Sequence, residues 1–288
     1  NSVTALGSVD MSNSLTPYFT IDMPPFITVT TSLVLAFVAG LSLTAIKGTS
    51  LRNGMNDLRE LVHVVIRNFI IPLLPFYIFG IFLQMGAEGH VWSVMGMFIK
   101  IIGIIIALHV TVLVLQFIIA GLIAHKNPFK FLWTMMPAYV TALGTQSSAA
   151  TIPVTLAQTK KMGVRDEIAD FTVPLCATVH MSCSMLKIVA CAYAVSLGLG
   201  MPCDVNLYGG FILMLGITMV AAPGVPGGAI MAALGLLSSM LGFDANMQGI
   251  IIAIYIAIDS FGTAGNVTGD GAIALIVNSL KSSQTSGK

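Results

Sequence analysis

The stretch GTQSSAATIP, residues 144–153, interrupts an apolar run that extends over 128–159, and AAPGVPGG, residues 221–228, does the same to the run 205–241. Each half is too short to cross a bilayer comfortably, since a spanning helix takes about 20 apolar residues. Non-helical backbone survives at membrane depth only where it is buried in protein or lines a watery cavity. The two runs therefore read as re-entrant helical hairpins, one with a polar tip and one with a Gly/Pro tip.

The composition places them in lipid. Of the 288 residues, 56% are hydrophobic and 9% charged, and the mean hydropathy is +0.92. That leaves too little polar surface to cover a water-soluble globule. A net charge of +1 offers no basic field for nucleic acid. Cys176, Cys183, Cys191 and Cys203 show no CxxC spacing, and the first three lie in apolar segments, so they read as buried thiols. Residues 1–20 show no basic segment followed by an apolar core, so no secretory leader is expected there.

Apolar runs at 26–46, 66–86, 91–123, 172–200 and 247–280 approach spanning length. Lys and Arg in short loops mark the cytoplasmic side. Lys47, Arg52 and Arg59 put the end of the first run inside; GAEGH (86–90), with Glu88, lies outside; HKNPFK (125–130) returns inside. Lys160, Lys161 and Arg165 follow the first hairpin, so both its ends are cytoplasmic. MPCDVNLY (201–208) and GFDANMQ (242–248) lack basic residues, so the second hairpin enters from outside, and the last helix returns to Lys281 and Lys288 at a cytoplasmic C-terminus. Two hairpins from opposite faces, each followed by a spanning helix, form an inverted repeat, the sequence pointer to a secondary transporter with its site near the midplane.

Within the last run, DSFGTAGNVTGD (259–270) places Asp259, Thr263, Asn266 and Asp270 at spacings of 4, 3 and 4, one face of a helix. A charge at the bilayer centre costs about 3 kcal/mol or more unless a cavity or partner receives it. Two on one stripe point to a polar ligand, a bound cation or both, with helix-to-helix glue as the plainer alternative. Gly262, Gly265, Gly269 and Gly271 suit close helix packing. Thr145, Gln146, Ser147 and Ser148 open a half-helix whose free N–H groups suit a carboxylate, or are simply capped by serine. The AAPGVPGGA tip reads as a gate or as turn punctuation. Lys187 lies seven residues beyond His180 on the same helix face; each alone is an ordinary snorkelling or core residue, as are Lys100 and His109 on the 91–123 run.

Three of these motifs carry a family resemblance. SSAATIPVT (147–155) resembles the serine-rich first-hairpin motif of the dicarboxylate/amino acid:cation symporters, the glutamate and aspartate transporter family; GVPGGAIM (224–231) resembles their second tip, and DSFGTAGNVTGD their last-helix motif. The resemblance covers 26–284 and begins near that fold's fourth helix, so the sequence is expected to be truncated by three helices. It implies an all-α inverted-repeat transporter with a scaffold part (26–86), a transport part (87–284) and a homotrimeric assembly in the cell membrane. It further implies that Asp259 binds a substrate amine, with Asn266 and the Ser147/Ser148 backbone on its carboxylate, and with Thr263 and Val225 completing the substrate site. Asp270, with Asn266, would hold sodium as the coupling ion.

Two departures shape the expectation. Gly262 stands where acidic-substrate members have an arginine, so with Ser184 it is expected to set selectivity toward a small neutral amino acid, a dicarboxylate or acidic amino acid being the alternative. HMSCS (180–184) replaces the family's N-M-D-G-T unwinding motif, and Lys187 or His180 is the candidate substitute for the lost cation. No His/Cys cluster with ligand spacing and no nucleophile–base pair is apparent, so neither an enzyme nor a cofactor is expected beyond the sodium ion. A channel-like or transport-impaired homologue is the remaining alternative.

Overall fold

The computed structural model describes residues 27, 29–65, 68–69, 71–87, 91–222 and 224–286. Glu88, Lys288, residues 1–20 and parts of the 66–86 run lie outside them. The described residues are all-helical: α1 Val29–Ala45, α2 Ser50–Val65, α3 Ile71–Ala87, α4 Val91–Ala124, α5 Pro128–Thr145, α6 Ser148–Lys161, α7 Asp166–Val179, α8 Ser182–Gly198, α9 Val205–Val220, α10 Gly228–Leu241, α11 Ala245–Ala257 and α12 Asp259–Ser286.

Both interruptions quoted above are chain reversals. α5 ends where Gln146 turns left-handed (φ 51°), and Ser147 then caps α6 by accepting the Ala150 N–H at 3.3 Å. α5 and α6 pack together, as do α9 and α10, and before α10 Gly227 is also left-handed (φ 72°).

Two runs that read as single spanning helices are divided. The 172–200 run is α7 and α8, parted at His180 and Met181. The 247–280 run is α11 and α12, bent by 62° after Ala257. Averaged over its length each run is apolar enough to read as one span, so composition does not reveal where the hydrogen-bond ladder stops. At α8 the cause is a side chain from another helix: Met181 offers no cap, and Asn266 Oδ1 accepts the Cys183 N–H at 2.8 Å and the Ser184 N–H at 3.4 Å.

α12 packs against α4, α5, α6, α7 and α8. One apolar cluster gathers Ile188, Phe211, Leu236 and Tyr255 from α8 to α11; the other gathers Phe117, Met135, Ala169 and Val267 from α4, α5, α7 and α12. Cys176, Cys183 and Cys191 are buried free thiols. α4 from Phe98 to Ala124 and the α7–α8 pair are long and apolar enough to cross a membrane, with the bent α11–α12 pair as a third. On α1 to α3, large apolar side chains such as Phe37, Leu61 and Phe79 are exposed, a surface suited to lipid or further helices rather than water.

Candidate functional site

The polar residues of α12 lie where the two hairpin tips and the two helix breaks converge. Ser147 Oγ donates to the Gly224 carbonyl at 3.0 Å, so the first tip is latched to the second. Beneath them a cavity of about 10 Å³, the space of one water, is lined by Gln146, Ser148, Ser184, Val225, Asp259, Thr263 and Asn266, among others. The structure thus brings Ser148, Val225, Asp259, Thr263, Asn266 and Ser184 onto one wall. Ser147, Asp270, His180, Lys187 and Gly262 are not among the cavity's lining residues.

Each buried carboxylate has a partner from the α7–α8 strand of helix. Lys187, with no exposed surface, donates from Nζ to Asp259 Oδ1 at 2.8 Å, and the Gly227 N–H donates to Oδ2, also at 2.8 Å. The same ammonium lies 3.4 Å from the Tyr255 carbonyl and 3.4 Å from the centre of the Tyr255 ring. Asp259 also opens α12, where the helix dipole favours a negative charge. About three turns along, His180 Nδ1 donates to Asp270 Oδ1 at 2.8 Å, and Gln116 Nε2 lies 3.2 Å from the other ring nitrogen.

Bare positions on α12 make this possible. A Cβ on Gly262 would stand 3.0 Å from Lys187 Nζ; on Gly269 it would meet Gln116 Oε1 and His180 Cε1 at 2.6 Å; on Gly265 it would meet Cys183 Sγ at 2.5 Å. The glycines are close-packing residues, but two of the three leave room for charged or polar side chains rather than for another helix. Asn266 is engaged at both ends of its amide: its carbonyl oxygen takes two N–H groups and Nδ2 donates to Ser184 Oγ at 2.8 Å. Among the described residues no group of three His, Cys, Asp or Glu converges as a metal centre.

Two residues of this network were not picked out in the sequence, Gln116 and Tyr255. Gln116 is a lone amide seven residues after His109, hence on the same face of α4, and that spacing was the available signal. Tyr255 meets Lys187 through its ring face and backbone and also lines the cavity, roles that leave no pattern in the sequence. A second, larger cavity of about 970 Å³ between α4, α8 and α9 is lined mainly by Ile105, Leu108, Met185 and Val189 and offers a charged solute little.

Apolar helices that break at mid-length, with broken ends that enclose partnered carboxylates, are the arrangement met in secondary transporters. Residues 4–280 match the sodium:dicarboxylate symporter family, and the chain belongs to it. It is 30% identical over 254 residues to excitatory amino acid transporter 4 of Mus musculus, covering 81% of this chain and 42% of the mouse protein. It is 29% identical over 228 residues to an uncharacterized symporter of Haemophilus influenzae, covering 77% of this chain and 50% of that one. The chain spans about half the length of these curated relatives.

Proposed function

We propose that this chain forms the substrate-carrying part of a sodium-coupled secondary transporter for a small carboxylate-bearing solute, of the amino acid and dicarboxylate class, working by alternating access. The observation that carries the reading is the latch between the two tips, Ser147 to Gly224, directly over the cavity that Asp259, Thr263 and Asn266 line. A cavity of one water's size admits no such solute, so the tips must part for entry and release.

In this reading α5–α6 and α9–α10 are re-entrant hairpins from opposite faces, 87–284 is the moving unit, and 26–86 belongs to a scaffold that assembles as a homotrimer in the cell membrane with the C-terminus in the cytoplasm. The N-terminus of α6, with Ser148 inside the cavity, receives the solute's carboxylate. Asp270 and Asn266 remain the proposed sodium ligands; a sodium ion at Asp270 competes with the His180 Nδ1–H, and one at Asn266 with two backbone N–H groups.

The preference for a neutral amino acid rested on Gly262 carrying no charge. Lys187 Nζ lies 3.0 Å from the Cβ that Gly262 lacks, so a cation stands beside that position after all, though already paired with Asp259. Counterflow of labelled carboxylates into liposomes tests the proposal. Solute exchange that needs internal unlabelled solute supports it; current without exchange points to a channel, and a chemically altered solute to an enzyme.

A further inference from the structure

The surroundings of Lys187 Nζ are those of a receptor for an organic ammonium ion. A carboxylate oxygen at 2.8 Å, a carbonyl oxygen at 3.4 Å and a tyrosine ring face at 3.4 Å surround it, and the lysine has no exposed surface. Asp259 lines the solute cavity, whereas Lys187 does not and reaches the carboxylate from α8. The Asp259 carboxylate therefore faces the cavity with its charge already balanced, and the Gly227 N–H occupies its second oxygen.

We infer that Lys187 is a tethered ammonium filling this cage, and that the transported solute is a small carboxylate without an amino group. The inference rests on the transporter reading above and names its substrate class. A second ammonium, brought by an amino acid, would share one carboxylate with Lys187 in a site sealed from water, where like charges repel most strongly. A carboxylate meets no such conflict: no other acidic side chain lines the cavity, and its remaining polar lining residues are Gln146, Ser148, Ser184, Tyr255, Thr263 and Asn266. A buried pair kept for stability alone needs neither a place on the cavity wall nor a bare glycine beside the ammonium, and apolar residues often replace such pairs without loss.

The test compares solutes that differ only by an amino group: succinate against aspartate, and propionate against alanine. The protein is reconstituted in liposomes, and counterflow is read alongside thermal stabilisation by each solute. The amine-free member of at least one pair should be favoured by about tenfold or more. Lys187→Met should move that ratio toward the amino-bearing member, because it frees the cage. Lys187→Met with Asp259→Asn, which leaves no buried charge unpaired, should bind the two members alike. Wild-type preference for aspartate or alanine, or an unchanged ratio in a folded Lys187→Met protein, overturns the inference and leaves the transporter reading standing. No exchange and no stabilisation by any of the four solutes overturns both.

Discussion

Asp259 and Asp270 stand on one helix, both buried and both at 2.8 Å from a nitrogen of the α7–α8 pair, yet the two ends are built differently. At Asp259 both oxygens are engaged, one by an ammonium without exposed surface and the other by the tip of the second hairpin. At Asp270 one oxygen meets an imidazole whose side chain is 13% exposed, and the network continues to Gln116 on α4. The first carboxylate is thus wired to the second tip, the element that opens in the proposed function, and the second to the helices packed around it. A change at Lys187 should be felt at the gate, and a change at His180 should remain local.

The largest effect is expected from Lys187→Met, which strands a buried carboxylate. Removing one partner of a buried pair costs about 3–5 kcal/mol. Thermal or denaturant unfolding in detergent should show a loss of that order, with most of it recovered when Asp259→Asn is added. A loss near zero would mean that water reaches Asp259 and that the two ends are alike.

His180→Ala comes next. It removes one hydrogen bond to Asp270 and leaves space that water can enter through the exposed edge of the ring, so a cost of about 1–3 kcal/mol is expected. Proteolysis or cysteine labelling at the second tip should distinguish the two variants further. Lys187→Met should expose Val225 to labelling once it is replaced by cysteine, whereas His180→Ala should not.

Much of this arrangement was legible in the sequence. The 4, 3, 4 spacing of DSFGTAGNVTGD put four polar groups on one face, and Asp259, Thr263, Asn266 and Asp270 do share α12. Gly and Pro at 221–228 and the polar run at 144–153 marked both chain reversals, because those residues supply left-handed backbone and caps. The break at Ile258 was hidden because averaged hydropathy does not record where backbone geometry ends the ladder, and the break at His180 was signalled only by HMSCS standing at the family's unwinding motif, where Asn266 acts across from α12. Partner choice was hidden too. Lys187 was equally compatible with Asp259 and Asp270 until Gly262, with no Cβ, showed which way the ammonium reaches.

Ser147→Ala probes the latch between the tips. It deletes the 3.0 Å bond to the Gly224 carbonyl and the side-chain cap on Ala150 N–H. Loss of a helix cap costs about 1 kcal/mol, and the latch bond adds a similar amount only in the closed arrangement. Faster exchange of solute with modestly lower stability is the expected result, measured as the rate of counterflow against the unfolding midpoint. Slower exchange at unchanged stability would place Ser147 on the solute rather than on the latch.

The smallest effect should come from a second lysine. Lys160 Nζ lies 2.9 Å from Asp170 Oδ1, nearly the spacing of the Lys187 pair, with Asp166 a second partner at 3.5 Å. By distance alone the two lysines deserve equal weight. Exposure separates them: the Lys160 side chain is 33% exposed and its partners 52% and 78%, against 0% and 5% for Lys187 and Asp259. In water the attraction between unit charges is weak and each group keeps its hydration when the partner is removed, so exposed pairs contribute little. Lys160→Met should therefore leave the unfolding midpoint and the succinate-to-aspartate ratio unchanged within measurement error, and added salt should not alter that result. A clear loss of stability in Lys160→Met would show that ion-pair geometry, and not burial, sets the ranking, and the contrast between the two ends of α12 would then need another cause.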